Sequence, residues 1–261
     1  MADQLRITAS DRVLMPDAEC LAQRLGVKLV PVPLTDPRRF TGAVMLLIQD
    51  FDGLSLQMTG RKAPGPVRVD WTSGRTAHRC QQGGAELVVK AVGAARATRP
   101  LSVIDATAGM GEDALVLACH GCRLTLLERS PVMAALLADG MARAAGDAEL
   151  APVLERMRLI VANALEWLDQ QSQSSDVVYL DPMFPERRQS AEVRKEMRVC
   201  RELVGDDNDA GELLIRALEV AVHRVVVKRP RKARVLPGPQ PATSVVGRSS
   251  RFDIYSRRAL P

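Results

Sequence analysis

Residues 102–115, SVIDATAGMGEDAL, decide the fold of this chain. The stretch begins as a short apolar run, turns at two glycines and continues with helical periodicity, which predicts a strand, a glycine-rich loop and a helix. Because glycine carries no Cβ, Gly109 and Gly111 let the backbone approach a ligand closely. The N–H groups of the loop and of the first helical turn then face that ligand.

The chemistry of this loop favours one class of ligand. Asp105 ends the predicted strand and places a negative charge beside the loop. That charge suits a cation better than a pyrophosphate, and S-adenosylmethionine, a sulfonium with an amino acid tail, fits it. The spacing from Gly109 to Ala114 also matches the looser Gly-x-Gly-x-x-Ala dinucleotide pattern, so binding of a nicotinamide cofactor is an alternative. A tight turn that binds nothing is the remaining alternative.

Composition predicts a cytosolic protein without a membrane span. The chain has 261 residues, of which 46% are hydrophobic, enough for one large core or two modest ones. No apolar run reaches the roughly 18 residues that span a bilayer, and residues 1–6 lack the apolar core of a signal peptide. The net charge of +5 is compatible with a nucleic acid partner. Scattered histidines predict no metal site, and Cys119 and Cys122 are interpreted as packing residues.

The residues before the glycine loop are predicted to form a small N-terminal α/β domain, residues 1–75, and a linker with a leading helix, residues 76–100. Periodicity and turn residues place the elements of this part of the chain. They are a helix over 17–25, a strand over 27–32, a hairpin of residues 43–48 with 54–58, a strand over 67–71, a basic connector over 74–84 and a helix over 86–97.

Residues 101–261 alternate strand and helix, which predicts a Rossmann-like domain with a parallel sheet. The strands are predicted over 101–105, 123–128, 159–162, 176–180, 224–227 and 251–255, the last of them antiparallel at the sheet edge. Helices are predicted over 131–143, 165–170, 192–203 and 210–222.

Two strand ends carry residues suited to an adenosyl group. Glu128 ends the second strand, where an acid accepts hydrogen bonds from a ribose diol. A surface carboxylate paired with Arg129 is the alternative. Asn163 and Ala164 follow the third strand, where adenine recognition and an N-cap for the next helix are both compatible with the residues.

The fourth strand is followed directly by DPMFP, residues 181–185. Ligands sit outside the carboxyl ends of such strands, and the two prolines stiffen the loop. Asp181 can accept the hydrogens of an exocyclic amine while Phe184 stacks on the ring that bears it. We therefore expect Asp105 and Asp181 to lie side by side at one end of the sheet. A rigid turn without a ligand is the alternative.

Several strings together carry a family resemblance. DPMFP is similar to the Asp-Pro-Pro-Tyr/Phe motif of methyltransferases that act on base amines, with Met183 in place of the second proline. The more specific strings are DATAG at 105–109, LER at 127–129, YLDPMF at 179–184 followed by Ser190-Ala191 and KEMR at 195–198, VVKRP at 226–230 and RFDIY at 251–255. From about residue 70 onward, the chain resembles the RsmJ family of ribosomal small-subunit RNA guanine-N2 methyltransferases.

The resemblance implies S-adenosylmethionine binding at a set of aligned positions. These positions are Glu112, Asp113, Glu128, Arg129, Asn163, Ala164 and Asp181. Glu112 stands where the family more often has arginine, and Asn163-Ala164 stand where it often has small hydroxyl residues.

Basic residues follow the DPMFP loop and the predicted fifth strand. Two such runs beside one active-site rim favour contact with RNA phosphates over a merely solvated surface. The residues are Arg187, Arg188, Lys195, Arg198, Lys228 and Arg229.

The resulting prediction is a monomeric, cytoplasmic, metal-independent enzyme that methylates the N2 amine of one guanine in 16S ribosomal RNA, as free RNA or in the small subunit. Asp181 and Phe184 carry the catalytic roles. The alternatives are a methyltransferase acting on DNA adenine or a protein amide, a nicotinamide-dependent oxidoreductase, and a non-catalytic RNA-binding protein.

Overall fold

A computed structural model describes residues 4–72, 74–81, 86–170, 175–183, 202–204 and 209–261. The contacts between these residues divide them into two compact units. The first unit holds residues 4–69, 131–143 and 202–204, and the second holds the others. The proposed domain boundary at residue 75 stays a prediction.

The helices and strands follow one another in the order that a Rossmann-like domain with an N-terminal extension requires. The helices are α1 (Met15–Leu25), α2 (Gly74–Gln81), α3 (Leu87–Val92), α4 (Glu112–Cys119), α5 (Pro131–Ala144), α6 (Ala151–Leu154), α7 (Ala164–Asp169) and α8 (Ala210–Val220). The strands are β1 (Leu5–Ala9), β2 (Met45–Asp50), β3 (Gly53–Met58), β4 (Ser102–Asp105), β5 (Arg123–Glu128), β6 (Met157–Val161), β7 (Ser175–Leu180), β8 (Ala221–Pro230), β9 (Thr243–Val246) and β10 (Ser250–Ser256).

The first unit contains a sheet of order β1-β2-β3. β1 lies parallel to β2, and β2 pairs with β3 as an antiparallel hairpin. Val30, Leu46 and Ile48 form a small apolar cluster in this unit. The predicted hairpin is therefore confirmed.

Among the N-terminal residues, one strand was missed and two predicted strands were wrong. β1 was missed, although LRITA alternates in the manner of a half-buried strand. The predicted strands 27–32 and 67–71 form only the isolated bridges Ile7–Leu29 and Leu56–Val67. Pro31, Pro33 and Pro66 flank these bridges, and a proline has no N–H with which to extend a ladder.

The second unit contains a sheet of order β6-β5-β4-β7-β8-β10-β9. The strands from β6 to β8 are parallel, and β10 pairs antiparallel with β8 and β9. The chain runs outward from β4 through β5 to β6 and then returns to the other side of β4 as β7. The carboxyl ends of β4 and β7 therefore flank the switch point of the sheet, where ligands of such folds bind. This confirms the Rossmann-like prediction.

The second unit also departs from the prediction in places. β8 runs on to Pro230, so Lys228 and Arg229 lie within the strand instead of emerging after it. β9 was missed, and it makes β10 an inner strand rather than the edge. Residues 74–81 form a helix where a connector was expected. α3 ends at Val92 because Gly93 takes a left-handed conformation, with φ of 87°. Residues 192–201 of the predicted helix 192–203 lie outside the described residues.

No helix within the described ranges has both the length and the apolar character needed to cross a bilayer.

Candidate active site

The carboxyl ends of β4 and β7 are joined by hydrogen bonds. The Ala106 N–H donates to the Tyr179 carbonyl oxygen at 3.0 Å, and the Asp181 N–H donates to Thr107 Oγ1 at 2.6 Å. Asp105 pairs with Tyr179 in the parallel ladder. The glycine loop and the start of the DPMFP loop therefore lie side by side at one end of the sheet, as the sequence analysis expected.

Two glycines take the left-handed conformation that the loop after β4 requires. Gly109 has a φ of 53° and Gly111 a φ of 70°. A Cβ built on Gly109 meets only the Thr107 carbonyl oxygen, at 3.9 Å. The space beside Gly109 is therefore open, and Gly111 begins α4 as its N-cap residue.

Glu128 is buried at the end of β5 and binds the loop that follows β4. Its Oε2 accepts a hydrogen bond from the Gly109 N–H at 2.9 Å, and its Oε1 accepts one from the Ser130 N–H at 2.7 Å. A carboxylate oxygen can accept about two hydrogen bonds. Glu128 therefore links the end of β5 to the loop that follows β4.

Three further residues of the predicted site follow the carboxyl ends of β5 and β6. Arg129 Nη1 lies 3.5 Å from the carboxylate of Asp209. Asn163 Oδ1 accepts from the Leu165 N–H at 2.9 Å, which confirms its N-cap role on α7. Ala164 is buried in the core of the second unit. A contact of Asn163 or Ala164 with adenine stays a prediction.

Asp105 is buried, with 2% of its surface exposed. Burial raises the pKa of Asp105 to about 8, and the carboxylates of Asp113 and Asp181 act in the same direction. The Thr107 N–H, which donates to Asp105 Oδ1 at 3.1 Å, and the Lys228 cation only partly offset these effects. Asp105 is therefore harder to ionise than an ordinary aspartate, and its predicted negative charge beside a bound cofactor stays a prediction.

Asp113 lies in the first turn of α4 and is committed to interior partners. Its Oδ1 accepts from Arg79 Nη2 at 2.6 Å, and its Oδ2 accepts from the Tyr179 hydroxyl at 2.6 Å and from Lys228 Nζ at 2.8 Å. Burial alone would raise the pKa of Asp113, but the Lys228 and Arg79 cations hold it well below its usual range. Three side chains of the second unit therefore hold this carboxylate, and its contact with the cofactor stays a prediction.

Lys228 also binds Asp181. Its Nζ lies 2.7 Å from Asp181 Oδ2. The Asp181 side chain is 40% exposed, whereas the Lys228 side chain is 29% exposed. Asp181 therefore lies at the open edge of the site, with one carboxylate oxygen bound to an ammonium group.

The chain is similar to a family model and to known proteins that are named as methyltransferases. A family model described as "Putative SAM-dependent methyltransferase" matches residues 38–257. A ribosomal RNA small subunit methyltransferase J of Marinobacter nauticus is 51% identical over 247 residues, which is 94% of this chain and 88% of the relative. A protein of the same name from Pseudomonas fluorescens is 48% identical over 262 residues, which is 99% of this chain and 97% of the relative.

The chain belongs to the methyltransferase J family. A crystal structure of a SAM-dependent methyltransferase from Neisseria gonorrhoeae is also similar to it, with a TM-score of 0.71 and 33% identity. The alignment covers 97% of this chain and 95% of the other. The Rossmann-like fold and the S-adenosylmethionine dependence of this methyltransferase are therefore established, and the nicotinamide-dependent alternative is set aside.

The residues of the methyltransferase fit S-adenosylmethionine. The open space at Gly109 admits a ligand against the backbone, and Glu128 presents carboxylate oxygens beside it. Glu128 and Asp181 are the carboxylates that would hold the hydroxyls and face the positive charge of the cofactor.

Two members of the predicted RNA-binding set are placed differently from the expectation. Lys228 is bound by two carboxylates, and the Arg229 side chain is buried and donates to the Arg234 carbonyl oxygen. Neither is the exposed cation that a phosphate contact needs, because both residues lie within β8.

Glu112 lies in the first turn of α4. Its carboxylate is 3.9 Å from Arg79 Nη1.

The remaining predicted site residues of the methyltransferase fall outside the described part of the chain. They are Phe184, Arg187, Arg188, Lys195 and Arg198. Their roles stay predictions.

The sequence analysis missed Arg79, Tyr179 and Thr107 as site residues. Tyr179 belongs to a string that carries the family resemblance, but within an apolar strand no role of its own was predicted for it. Arg79 was placed in the basic connector, and the short helix that holds it beside Asp113 was not predicted.

The described residues contain no group of three or more His, Cys, Asp or Glu side chains that could hold a metal ion. Cys122 is buried, and burial raises the pKa of its thiol to about 12. This agrees with the packing role expected for it.

Proposed function

We propose that this protein transfers a methyl group from S-adenosylmethionine to the N2 amine of one guanine in 16S ribosomal RNA. The observation that carries the proposal is the position of Asp181, whose carboxylate lies at the open edge of the site beside the glycine loop. The name of the relatives, which are about half identical over nearly the full chain, supports ribosomal RNA of the small subunit as the substrate.

The cofactor supplies a methyl group on a sulfonium, which is an excellent leaving group, so the chain's own residues need only bind and align. Glu128 accepts hydrogen bonds from the ribose hydroxyls while it holds the Gly109 N–H. Alignment of reacting groups is worth up to about 7–11 kcal/mol in favourable cases. The open conformation at Gly109 lets the backbone take part in that alignment.

Asp181 makes the aromatic amine of the substrate base a better nucleophile. The lone pair of an aromatic amine is spread into the ring, and hydrogen bonds from its protons to an acceptor help to localise it. Asp181 accepts one such proton through its carboxylate, and Phe184 stacks on the base. When the new N–C bond forms and the electron pair of the S–C bond stays on sulfur, one amine proton passes to this carboxylate or to water.

The basic residues after the DPMFP loop supply the affinity for RNA in this proposal. Arg187, Arg188, Lys195 and Arg198 offer charge for phosphate contacts, which position a nucleic acid without reading its sequence. We further propose that the protein acts as a monomer in the cytoplasm, on free RNA or on the small subunit.

The test is methyl transfer with tritiated S-adenosylmethionine to four acceptors: small subunits from cells that lack the gene, protein-free 16S RNA, DNA and a protein mixture. We expect label in ribosomal RNA alone, and mass mapping of the digested RNA should give N2-methylguanosine at a single position. Asp181→Ala removes the acceptor and should give no label. Methyladenine in DNA or a methylated protein amide would support the corresponding alternative, and RNA binding without transfer would support a non-catalytic protein.

A further inference from the structure

Lys228 lies between two carboxylates that come from different parts of the chain. Its Nζ is 2.8 Å from Asp113 Oδ2 and 2.7 Å from Asp181 Oδ2. The register of the sheet explains the second contact. Leu180 of β7 pairs with Val227 of β8, so Asp181 and Lys228 are the next residues on two neighbouring strands.

We propose that Lys228 is a positioning residue of the methyl transfer: its ammonium group holds Oδ2 of Asp181 and thereby turns Oδ1 toward the amine of the substrate base. The inference rests on the proposed role of Asp181 as the acceptor for that amine. It assigns Lys228 to the catalytic site and not to the surface that binds RNA phosphates.

The position of Lys228 is itself fixed by Asp113. Asp113 accepts from Lys228 with the same oxygen that accepts the Tyr179 hydroxyl, and its other oxygen binds Arg79. The backbone of Asp181 is tied separately, because its N–H donates to Thr107 Oγ1. The Asp181 carboxylate is thus restrained both at its backbone and at one oxygen, which is the preorganisation that a group acting in the transition state requires.

The charges around Lys228 alternate in sign. Arg79 from α2, Asp113 from α4, Lys228 from β8 and Asp181 after β7 form a chain of cation, anion, cation and anion. Among the described residues near this chain of charges, Asp105 of β4 has its pKa raised to about 8 by burial, and burial raises the pKa of the Tyr179 hydroxyl well above its ordinary value. Phe252 of β10 stands opposite Lys228 in the sheet.

This arrangement keeps both ends of the Lys228–Asp181 pair ionised. Burial by itself lowers the pKa of Lys228, but the carboxylates of Asp113 and Asp181 raise it above its ordinary value. By the same interaction, the ammonium favours the carboxylate form of Asp181. An ionised carboxylate only accepts hydrogen bonds, which is the form of Asp181 that an amine proton can bind.

The first test compares Lys228→Met, which keeps the length of the side chain and removes its charge, with Lys228→Arg, which keeps the charge. We expect Lys228→Met to lower kcat by about 10–100-fold, with the KM for S-adenosylmethionine within about twofold of the wild type. The acid limb of its pH profile should move upward by at least about one pH unit, because an opposite charge at this distance is worth about one to three units. Lys228→Arg should recover the wild-type pH profile and most of kcat.

Arg99→Met is the matched control. Arg99 binds Asp176 at the other end of β7, with distances of 2.8 Å to both carboxylate oxygens. Its loss breaks an ion pair on the same strand but far from Asp181, so we expect a lower Tm and a pH profile that superimposes on that of the wild type. This variant separates the cost of a broken ion pair from an effect on the acceptor.

A second measurement does not need the reaction. The carboxyl carbon of Asp181 is followed by NMR in protein labelled with ¹³C-aspartate, with Asp181→Asn to assign its signal. We expect its titration midpoint to be higher in Lys228→Met than in the wild type and in Lys228→Arg. If the midpoints coincide, or if the Lys228→Met and wild-type pH profiles superimpose, the inference is overturned. If the wild type transfers no methyl group to small-subunit RNA, the proposed function fails, while this titration still decides the role of Lys228.

Discussion

Glu128 Oε2 accepts a hydrogen bond from the Gly109 N–H at 2.9 Å, so the acid at the end of β5 holds the glycine loop at the end of β4. The same carboxylate is the one that we propose to accept hydrogen bonds from the ribose hydroxyls of the cofactor.

Replacing Glu128 tests how much its carboxylate contributes to cofactor binding. Glu128→Ala removes charge-assisted hydrogen bonds that are worth about 1.5–3 kcal/mol each, so the Kd for S-adenosylhomocysteine should rise by at least about tenfold. Isothermal titration calorimetry measures it. Glu128→Gln keeps the shape and should fall between wild type and Glu128→Ala. An unchanged Kd in Glu128→Ala would refute the ribose role.

Asp181→Ala should abolish methyl transfer and leave the fold intact. Its side chain is 40% exposed, so the fold loses little packing, but the reacting amine loses its acceptor. We expect kcat to fall by about 100-fold or more, the size of effect typical for loss of a group that acts in the transition state. Circular dichroism and the Kd for S-adenosylhomocysteine are the controls. Normal methylation of RNA by this variant contradicts the assignment.

Thr107 should matter through the position of Asp181. Its Oγ1 accepts from the Asp181 N–H at 2.6 Å, so Thr107→Val removes the acceptor at nearly constant volume. A small displacement of a reacting group is costly, and we expect kcat to fall by about 10–100-fold. Thr107→Ser retains the hydroxyl and should restore activity. Equal loss in the valine and serine variants would mean that the methyl group of Thr107, and not its oxygen, is what counts.

Asp105 should make the protein less stable as the pH rises. Its pKa is about 8 in the folded protein and about 3.8 as the ordinary value, so the folded state holds one proton more between these limits. Its stabilising contribution is complete below about pH 4 and is lost as the pH rises toward 8, at about 1.4 kcal/mol per pH unit. Asp105→Asn should remove this slope, because an amide does not titrate in that range.

The measurement is the free energy of unfolding in urea from pH 4 to pH 9 for both proteins. The difference between them isolates Asp105 from the carboxylates with lowered pKa, such as Asp113 and Asp176, whose contributions have the opposite sign. Parallel curves for the wild type and Asp105→Asn would show that Asp105 is ionised in the folded protein.

Local sequence patterns were sufficient wherever one segment by itself determines the structure. The glycine spacing after β4, the acid at the end of β5 and the N-cap at Asn163 each depend on residues a few positions apart. The strands at the sheet margin were harder to predict. β9 has few apolar residues, and pairing with β10, not its own propensity, is what makes it a strand.

The sequence by itself determined the alternation of strands and helices, the turn at Gly109 and Gly111 and the placement of Asp105 and Asp181 at one end of the sheet. Tertiary structure alone decided the raised pKa of Asp105 and the partner of Lys228. Burial removes the solvent that would favour the ionised form of Asp105, and strand order places Lys228 beside a carboxylate that lies 47 positions away in the chain. A lysine in a basic run has the same local pattern whether it faces RNA or an aspartate, because its neighbours in space come from other strands.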